Sequence, residues 1–123
     1  MATFANETRA AALNGVVALF NSGSFRVLTA GDAELAAPTF ASTAFGAATT
    51  ANPSVATAAS LTADNSITAG TFTKFEMRTS GGSNRITGSV GVGSGDIQVA
   101  DNVIPGTATS FTIAGLTLAL TMS

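Results

Sequence analysis

The stretch Thr107 to Thr121, TATSFTIAGLTLALT, has the most regular pattern in the chain. Apolar residues alternate along it with Ser, Thr and Ala, and such alternation places one set of side chains on one face of a β-strand. The apolar residues are Phe111, Ile113, Leu116, Leu118 and Leu120. The alternation changes phase at Gly115, and a glycine at such a point is typical of a bulge or of a bend between two strands. The stretch therefore predicts a central strand pair of a β-domain.

The composition of the chain limits its size class and its surface. A length of 123 residues predicts a single domain, residues 1–123, which can bury a core without disulfides or metals. Charged residues make up 10% of the chain, against roughly 25% in ordinary globular domains. Because a soluble monomer usually carries more charge, we interpret the composition as a sign that other subunits cover much of the surface. The alternative is a β-protein rich in small residues that is soluble on its own.

Two long uncharged runs, 35–63 and 102–123, are candidates for membrane segments. Both contain proline, the first is rich in Thr and Ser, and the second alternates, so neither forms the run of about 20 apolar residues that a spanning helix needs. The N-terminus carries Glu7 and Arg9, where an export signal has a basic and then an apolar segment. The sequence therefore predicts no membrane partner and synthesis in a cytoplasm.

Residues Thr3 to Phe20 are predicted to form the single helix of the chain. Thr3 is suited to cap the first turn, and Glu7 adds a negative charge where the helix dipole favours one. Gly23 is expected to end the helix with a positive φ, and Gly15 leaves room for a strand to approach closely. The apolar face follows i, i+3, i+4 spacing and consists of Ala10, Leu13, Val16, Val17 and Phe20. We expect the helix to dock on the sheet through Leu13, Val17 and Phe20.

The middle of the chain predicts short strands separated by turns. They are 24–29, 34–41, 54–61, 71–79, 85–92 and 96–100. The turn Ser80 to Asn84 joins the fourth and fifth strands into a hairpin. The fourth strand has one apolar face, Phe75 and Met77, and one charged face, Lys74, Glu76 and Arg78. Short turns favour antiparallel pairing, so we predict a mainly β (α+β) domain, an antiparallel sandwich or barrel of about seven strands with one N-terminal helix.

The residue types that most enzymes need are missing from the chain. It has no Cys and no His, so Ser–His and Cys–His nucleophile pairs and ordinary zinc sites cannot be built. Asp64-Asn65-Ser66 and Asp101-Asn102 offer oxygens for calcium, but the same residues are typical of turns, which is the interpretation we favour. The carboxylates are scattered: Glu7, Asp32, Glu34, Asp64, Glu76, Asp96 and Asp101. We therefore predict no enzymatic activity, no cofactor and no metal site.

The glycine-rich and basic segments do not indicate a nucleotide or nucleic-acid site. The runs GGSN and GVGSG do not fit a nucleotide pattern: Gly88 to Gly95 lacks the following helix, and the chain contains no Gly-Lys-Ser or Gly-Lys-Thr, so we interpret both runs as hairpin turns. Five Lys and Arg residues in a chain of net charge −2 do not form the basic face that nucleic acids require. The basic cluster Lys74, Arg78 and Arg85 has Glu76 in its middle, which predicts a cross-strand charge pattern or an inter-subunit contact.

Four stretches of the chain resemble the small β-rich decoration, or cement, proteins that tailed bacteriophages encode beside the major capsid protein. They are the opening helix ETRAAALNGVVALFNSG, the strand FRVLTAG, the segment PTFASTAFGAA and the tail IPGTATSFTIAGLTLAL. The resemblance implies a virion protein, made in the host cytoplasm, that binds the outside of the head, often as a trimer at three-fold positions. There it bridges neighbouring capsid subunits and resists internal pressure.

The composition agrees with binding through buried area and without chemistry. The expected partners are the major capsid protein and further copies of the chain, with a homotrimer favoured. The predicted helix and the uncharged segment 35–63 are the candidate contact regions. The candidate contact side chains are Leu13, Val17, Phe20, Phe40, Phe45, Lys74, Glu76 and Arg78.

Two other functions remain open for this sequence. The first is a tail tube or fibre component, although such a subunit usually needs a long hairpin or arm, and no predicted strand is long enough. The second is a carbohydrate- or host-binding β-sandwich, although sugar sites usually use Trp or Tyr, and the chain has neither.

Overall fold

The computed structural model describes residues 3–120, which form one helix followed by nine strands. The helix is α1 (Asn6–Ala18), and the strands are β1 (Ser24–Leu28), β2 (Glu34–Ala36), β3 (Ser54–Thr57), β4 (Gly70–Thr71), β5 (Lys74–Arg78), β6 (Asn84–Gly91), β7 (Ile97–Gln98), β8 (Val103–Ile104) and β9 (Thr117–Leu120). The described strands form one five-stranded sheet and two two-stranded sheets, β3-β9 and β4-β8. The predicted fold class, mainly β with one N-terminal helix, is confirmed.

The five-stranded sheet has the order β2-β1-β5-β6-β7. Its β5–β6 hairpin is the one that the turn at 80–84 predicts. All neighbouring strands run antiparallel except β6 and β7, which are parallel. The expectation of antiparallel pairing is therefore wrong at this edge. Gly93 and Gly95 have φ of +75° and +93°, and these left-handed conformations let a short loop return the chain to the direction of β6.

Alternation in β1 and β5 buries one face of this sheet. Phe75 and Met77 are buried on β5 and pair in register with Val27 and Phe25 on β1. The rings of Phe25 and Phe75 stack with their centroids 5.3 Å apart. The apolar face predicted for Phe75 and Met77 is thus confirmed as part of the main core.

The C-terminal stretch is not the central strand pair that its alternation predicts. Only its last part, β9, is a strand, and it pairs antiparallel with β3 in a two-stranded sheet. Before β9, Phe111 forms a single bridge to Asp64, and Phe111 and Ile113 pack against the core from an irregular segment. The alternation arises because one side of this irregular segment is buried, although the segment is not part of a sheet. The bend predicted at Gly115 is present, with φ of +71°, while Thr121 lies outside the described residues.

Helix α1 is shorter than the predicted range 3–20. Its N-cap residue is Ala5, which makes no side-chain cap, so Thr3 does not cap the helix. After Ala18 the chain continues as turns through residue 22. The positive φ expected at Gly23 belongs instead to Ser22, with φ of +57°. The end of the helix therefore lies close to the predicted stop signal but uses a different residue for the left-handed conformation.

The helix packs mainly against β3 and, to a smaller extent, against β9. Leu13 and Val17 are buried, as the spacing predicts, whereas Val16 is 37% exposed and lies outside the buried face. No atom lies within 4 Å of a Cβ built on Gly15, so the close approach of a strand expected there does not occur. The buried face of α1 is consequently narrower than the sequence predicts.

Candidate functional site

Five of the eight predicted contact residues lie in the protein's own core. The exposed fractions are 3% for Leu13, 5% for Val17, 0% for Phe20, 2% for Phe40 and 5% for Phe45. The ring of Phe40 lies 6.1 Å from that of Phe20 and 5.6 Å from that of Phe45, measured between centroids. Side chains buried to this extent have no surface to offer a capsid protein or a second subunit. These five residues are therefore part of the core of the chain and not of its surface.

The other three predicted contacts lie on the solvent side of the five-stranded sheet. Lys74, Glu76 and Arg78 alternate with the buried residues of β5, as predicted. Glu76 is the register partner of Arg26 on β1 and forms an ion pair with it. Arg26 Nε also lies 2.5 Å from Glu34 Oε1. The set that we call the charged ladder consists of Asp32, Lys74, Glu34, Arg26, Glu76 and Arg78.

Every member of the charged ladder has a partner of opposite sign within the ladder. Arg78 lies 3.0 Å from Glu76, and Lys74 Nζ lies 2.9 Å from Asp32 Oδ1. The cross-strand pair of Glu76 is with Arg26, which lies outside the predicted cluster, and the three cations of the ladder balance its three anions. Arg85, near the start of β6, forms no ion pair within residues 3–120.

The surroundings of Arg26 keep its guanidinium charged. Burial by itself lowers the pKa of this group, but the hydrogen bond and charge of Glu34, together with those of Glu76, outweigh burial and raise the pKa above its ordinary value. The side chains of Arg26 and Glu76 are only 18% and 19% exposed, whereas those of Lys74 and Asp32 are 43% and 71% exposed. The ladder thus has a protected part around Arg26 and a solvated part at Lys74.

Asp64 and Asp101, whose oxygens could serve calcium, cap turns. Asp64 accepts hydrogen bonds from the N–H groups of Ala37 and Ser66, at 2.8 and 2.9 Å. Asp101 accepts one from the N–H of Val103 at 3.0 Å. Within residues 3–120, no three acidic residues come together in a group that could hold a metal ion. These geometries are those of turn residues, which is the interpretation favoured from the sequence.

Arg9 has a structural role that the sequence pattern did not reveal. It is 4% exposed, and its Nε donates to the carbonyl oxygen of Ala51 at 3.1 Å. Its other nitrogens donate to the carbonyl of Phe4 and to the side-chain oxygen of Asn6. The guanidinium thereby ties the first turn of α1 to the loop before β3. Arg9 lies four residues before Leu13, so its helical spacing is that of the buried face, but a charged side chain is usually exposed and was not assigned to the core.

The described surface outside the charged ladder carries few charges. No charged residue occurs between Glu34 and Asp64, and the exposed positions there are mainly Ala, Ser and Thr. Four large apolar side chains are exposed: Val16 on α1, Leu19 directly after it, Val92 directly after β6 and Val103 on β8. No helix among residues 3–120 has the length and apolar character needed to cross a bilayer. The arrangement offers broad uncharged surfaces and no cluster of reactive groups in the described part.

Comparisons with protein-family models, with curated proteins and with solved structures found no match.

Proposed function

We propose that the protein is a structural virion component: a decoration, or cement, protein that binds the outside of a phage head and stabilises contacts between major capsid subunits. The observation that carries the proposal is the distribution of charge. The chain has 5 basic and 7 acidic residues, six of these twelve neutralise one another in the charged ladder, and Arg9 is buried. The remaining surface is suited to contact with other protein, since a free soluble domain uses surface charge to remain dispersed.

The proposed mode of action is burial of area between subunits. A stable protein contact buries about 1,200–2,000 Å², and a symmetric oligomer repeats such a contact on each neighbour. The resemblance of the four quoted stretches to decoration proteins supports the same role. A homotrimer at three-fold positions of the head is part of the proposal.

The direct test uses heads that were assembled without this protein. Purified protein is added, bound copies are counted by electron cryo-microscopy, and the heads are heated or transferred to low salt. We expect saturable binding to the outer surface and a rise in the temperature at which the heads break open. Heads that bind no protein, or that resist heat and low salt equally well without it, would contradict the proposal.

The native mass separates this function from the tail alternative. Light scattering behind a sizing column is expected to give a discrete trimer. A hexamer or an open polymer favours a tail tube or fibre component instead. If the protein is a monomer, self-association does not explain its low surface charge. The capsid lattice is then the partner that must cover the uncharged surface.

A further inference from the structure

A groove of about 450 Å³ lies at the end of the five-stranded sheet. Two chain segments line it: 96–100, which contains β7, and 113–117, which leads into β9. Core side chains contribute to the lining, namely half-buried Ile97, Val99 and Ile113 and buried Leu116. Of the second segment, only Thr117 belongs to β9, so the groove leaves part of the core uncovered between β7 and the segment that enters β9.

The strand on the first side of the groove, β7, has an open hydrogen-bonding edge. The N–H of Val99 donates to the carbonyl oxygen of Gly91 at 3.0 Å. Backbone groups of neighbouring residues in a strand point to opposite sides. Val99 bonds toward β6, so the backbone groups of Gln98 point away from β6. β7 is the last strand of its sheet, and Gln98 has no backbone partner among residues 3–120.

The strand on the second side, β9, has an open edge as well. The N–H of Ala58 donates to the carbonyl oxygen of Leu116 at 2.8 Å. In the antiparallel register with β3, residues with this bonding direction alternate with residues whose backbone groups point outward. Leu116 bonds toward β3, so the backbone groups of Thr117 and Ala119 point away from β3. Neither residue has a backbone partner in the described part of the chain. No charged residue protects this edge, although charges commonly block open edges in soluble proteins.

We propose that the groove binds an extended segment of another protein, which pairs as an added strand with Gln98 on one side and with Thr117 and Ala119 on the other. Strand addition satisfies the open backbone groups, and the side chains of the added strand cover the exposed core residues. A segment of five residues spans about 16 Å, similar to the extended length of 96–100. The inference deepens the proposed function and rests on it for the partner's identity, since the segment then belongs to the capsid protein.

The charge around the groove indicates the chemistry of the segment. From Ile86 to the end of the chain, the charged residues are Asp96 and Asp101, with no cation. Asp96 lines the groove, and Asp101 follows the lining segment directly. A segment that is complementary to this site carries a Lys or Arg beside these carboxylates. Its other residues, which lie in the groove, are uncharged and favour β-structure.

A second copy of the chain fits this site less well. Three of its cations are paired in the charged ladder, and Arg9 is buried. Arg85 lies on β6, which is already paired with β5. Within residues 3–120, no extended segment outside a sheet carries a cation that it can bring into the groove. The occupant is therefore assigned to a different protein.

The test is a titration of the isotope-labelled full chain with a synthetic hexapeptide, TVTVTK with blocked ends, followed by NMR at millimolar peptide. We expect shifts and slowed hydrogen exchange at the amides of Gln98, Thr117 and Ala119. The counterpart ending in Glu should bind about fivefold more weakly at low salt. A version with an N-methyl group on every residue should not bind, because it has no backbone N–H to donate to either side of the groove.

Proline variants test the edge itself. Thr117→Pro removes an outward N–H at the groove, and we expect it to abolish the peptide response. Thr87→Pro is the matched control, because the register with β5 directs the Thr87 N–H to the open side of β6, and Thr87 does not line the groove. An equal response of the two variants, or no change at the three wild-type amides, overturns the proposal. Should Thr117→Pro not fold, the wild-type amide measurement with the N-methyl peptide decides.

Two further outcomes separate the groove from the proposed function. If heads bind Thr117→Pro as tightly as wild type, the groove proposal fails while the decoration function stands. If heads bind no wild-type protein, the decoration function fails, and the peptide titration still decides whether the groove accepts a strand. Slowed exchange of the same amides with rising protein concentration, without peptide, would assign the groove to a second copy and overturn the inference.

Discussion

The carbonyl oxygen of Arg78 lies against the Cα of Gly23, so closely that a Cβ built on Gly23 would be 2.0 Å from it. Gly23 is also held on both sides, because its N–H donates to Phe20 at 2.8 Å and its carbonyl accepts from Phe40 at 2.9 Å. The end of β5 thus meets the chain where it leaves the helix and enters β1. Only a residue without a side chain fits between them.

Replacing this glycine is expected to destabilise the fold. Gly23→Ala forces the backbone of β5 or of the helix exit to move, and a misfit of this kind costs about 1–3 kcal/mol or more. We expect a lower free energy of unfolding by urea, with the midpoint moved to lower concentration. An unchanged midpoint would mean that the close approach of Arg78 and Gly23 is absent in solution.

Gly15→Ala is the matched control and should act in the opposite direction. The position is exposed on α1, and a Cβ there meets no atom within 4 Å. Alanine in a helix interior is favoured over glycine by about 1 kcal/mol. We expect a higher unfolding midpoint, and a loss of stability would show that the helix surface at Gly15 is covered in solution.

These two glycines show where sequence reasoning succeeds and where it fails. The sequence marks both as special, but the residue that comes close to Gly23 is 55 positions away, and no local pattern identifies it. The turn residues correctly predict the β5–β6 hairpin and alternation predicts the two faces of β5, since neighbouring residues determine both. It fails for 107–116, because one buried side produces the same alternation in a loop as in a strand.

The same distinction applies to the functional surfaces. The pairing of Glu76 with basic neighbours follows from alternation within β5 and was predictable. The apolar stripe around Leu13 and Val17 predicts burial but does not say whether its partner is the same chain or another, and the fold buries it within the chain. The groove could not be predicted, since it depends on the fold bringing 96–100 beside 113–117.

The two parts of the charged ladder should differ in their contribution to stability. Arg26→Met removes a protected cation from between Glu34 and Glu76, and we expect a loss of about 1.5–3 kcal/mol. Lys74→Met removes a solvated cation from Asp32 and should change stability by less than about 1 kcal/mol. Urea unfolding of both variants measures the difference. Equal losses would show that the burial of Arg26 does not distinguish the two pairs.

The contribution of Arg26 should not depend on pH between about 7 and about 9. Its pKa is raised in the folded state, so the stabilisation is fully present below the ordinary value and is lost only as pH rises through the raised pKa. The chain has no His or Cys to titrate in this range. The difference in unfolding free energy between wild type and Arg26→Met is therefore expected to stay constant. A difference that falls with rising pH would assign the effect to another titrating group.

The aromatic residues once considered as contacts should act on stability. Phe40→Leu leaves a gap between the rings of Phe20 and Phe45, and we expect a loss of about 1–2 kcal/mol. Val103→Ala, at a residue that is 49% exposed, is the control and should change stability by less than about 0.5 kcal/mol. Thermal unfolding compares the two. If Phe40→Leu kept full stability and lost only head binding, Phe40 would be a contact residue after all.

The carboxylate of Asp96 protects one amide at the open edge of β6, next to the groove. Its Oδ2 accepts from the N–H of Ser89 at 3.0 Å, while the hydroxyl of Ser89 accepts from the N–H of Asp96 at 3.0 Å. A hydrogen bond to a charged group contributes about 1.5–3 kcal/mol, so Asp96→Ala should speed exchange of the Ser89 amide roughly tenfold to a hundredfold. Asp101→Ala is the control, because it should affect the amide of Val103 and leave Ser89 unchanged. Equally slow exchange of the Ser89 amide in both variants would mean that a group other than the Asp96 carboxylate protects this amide.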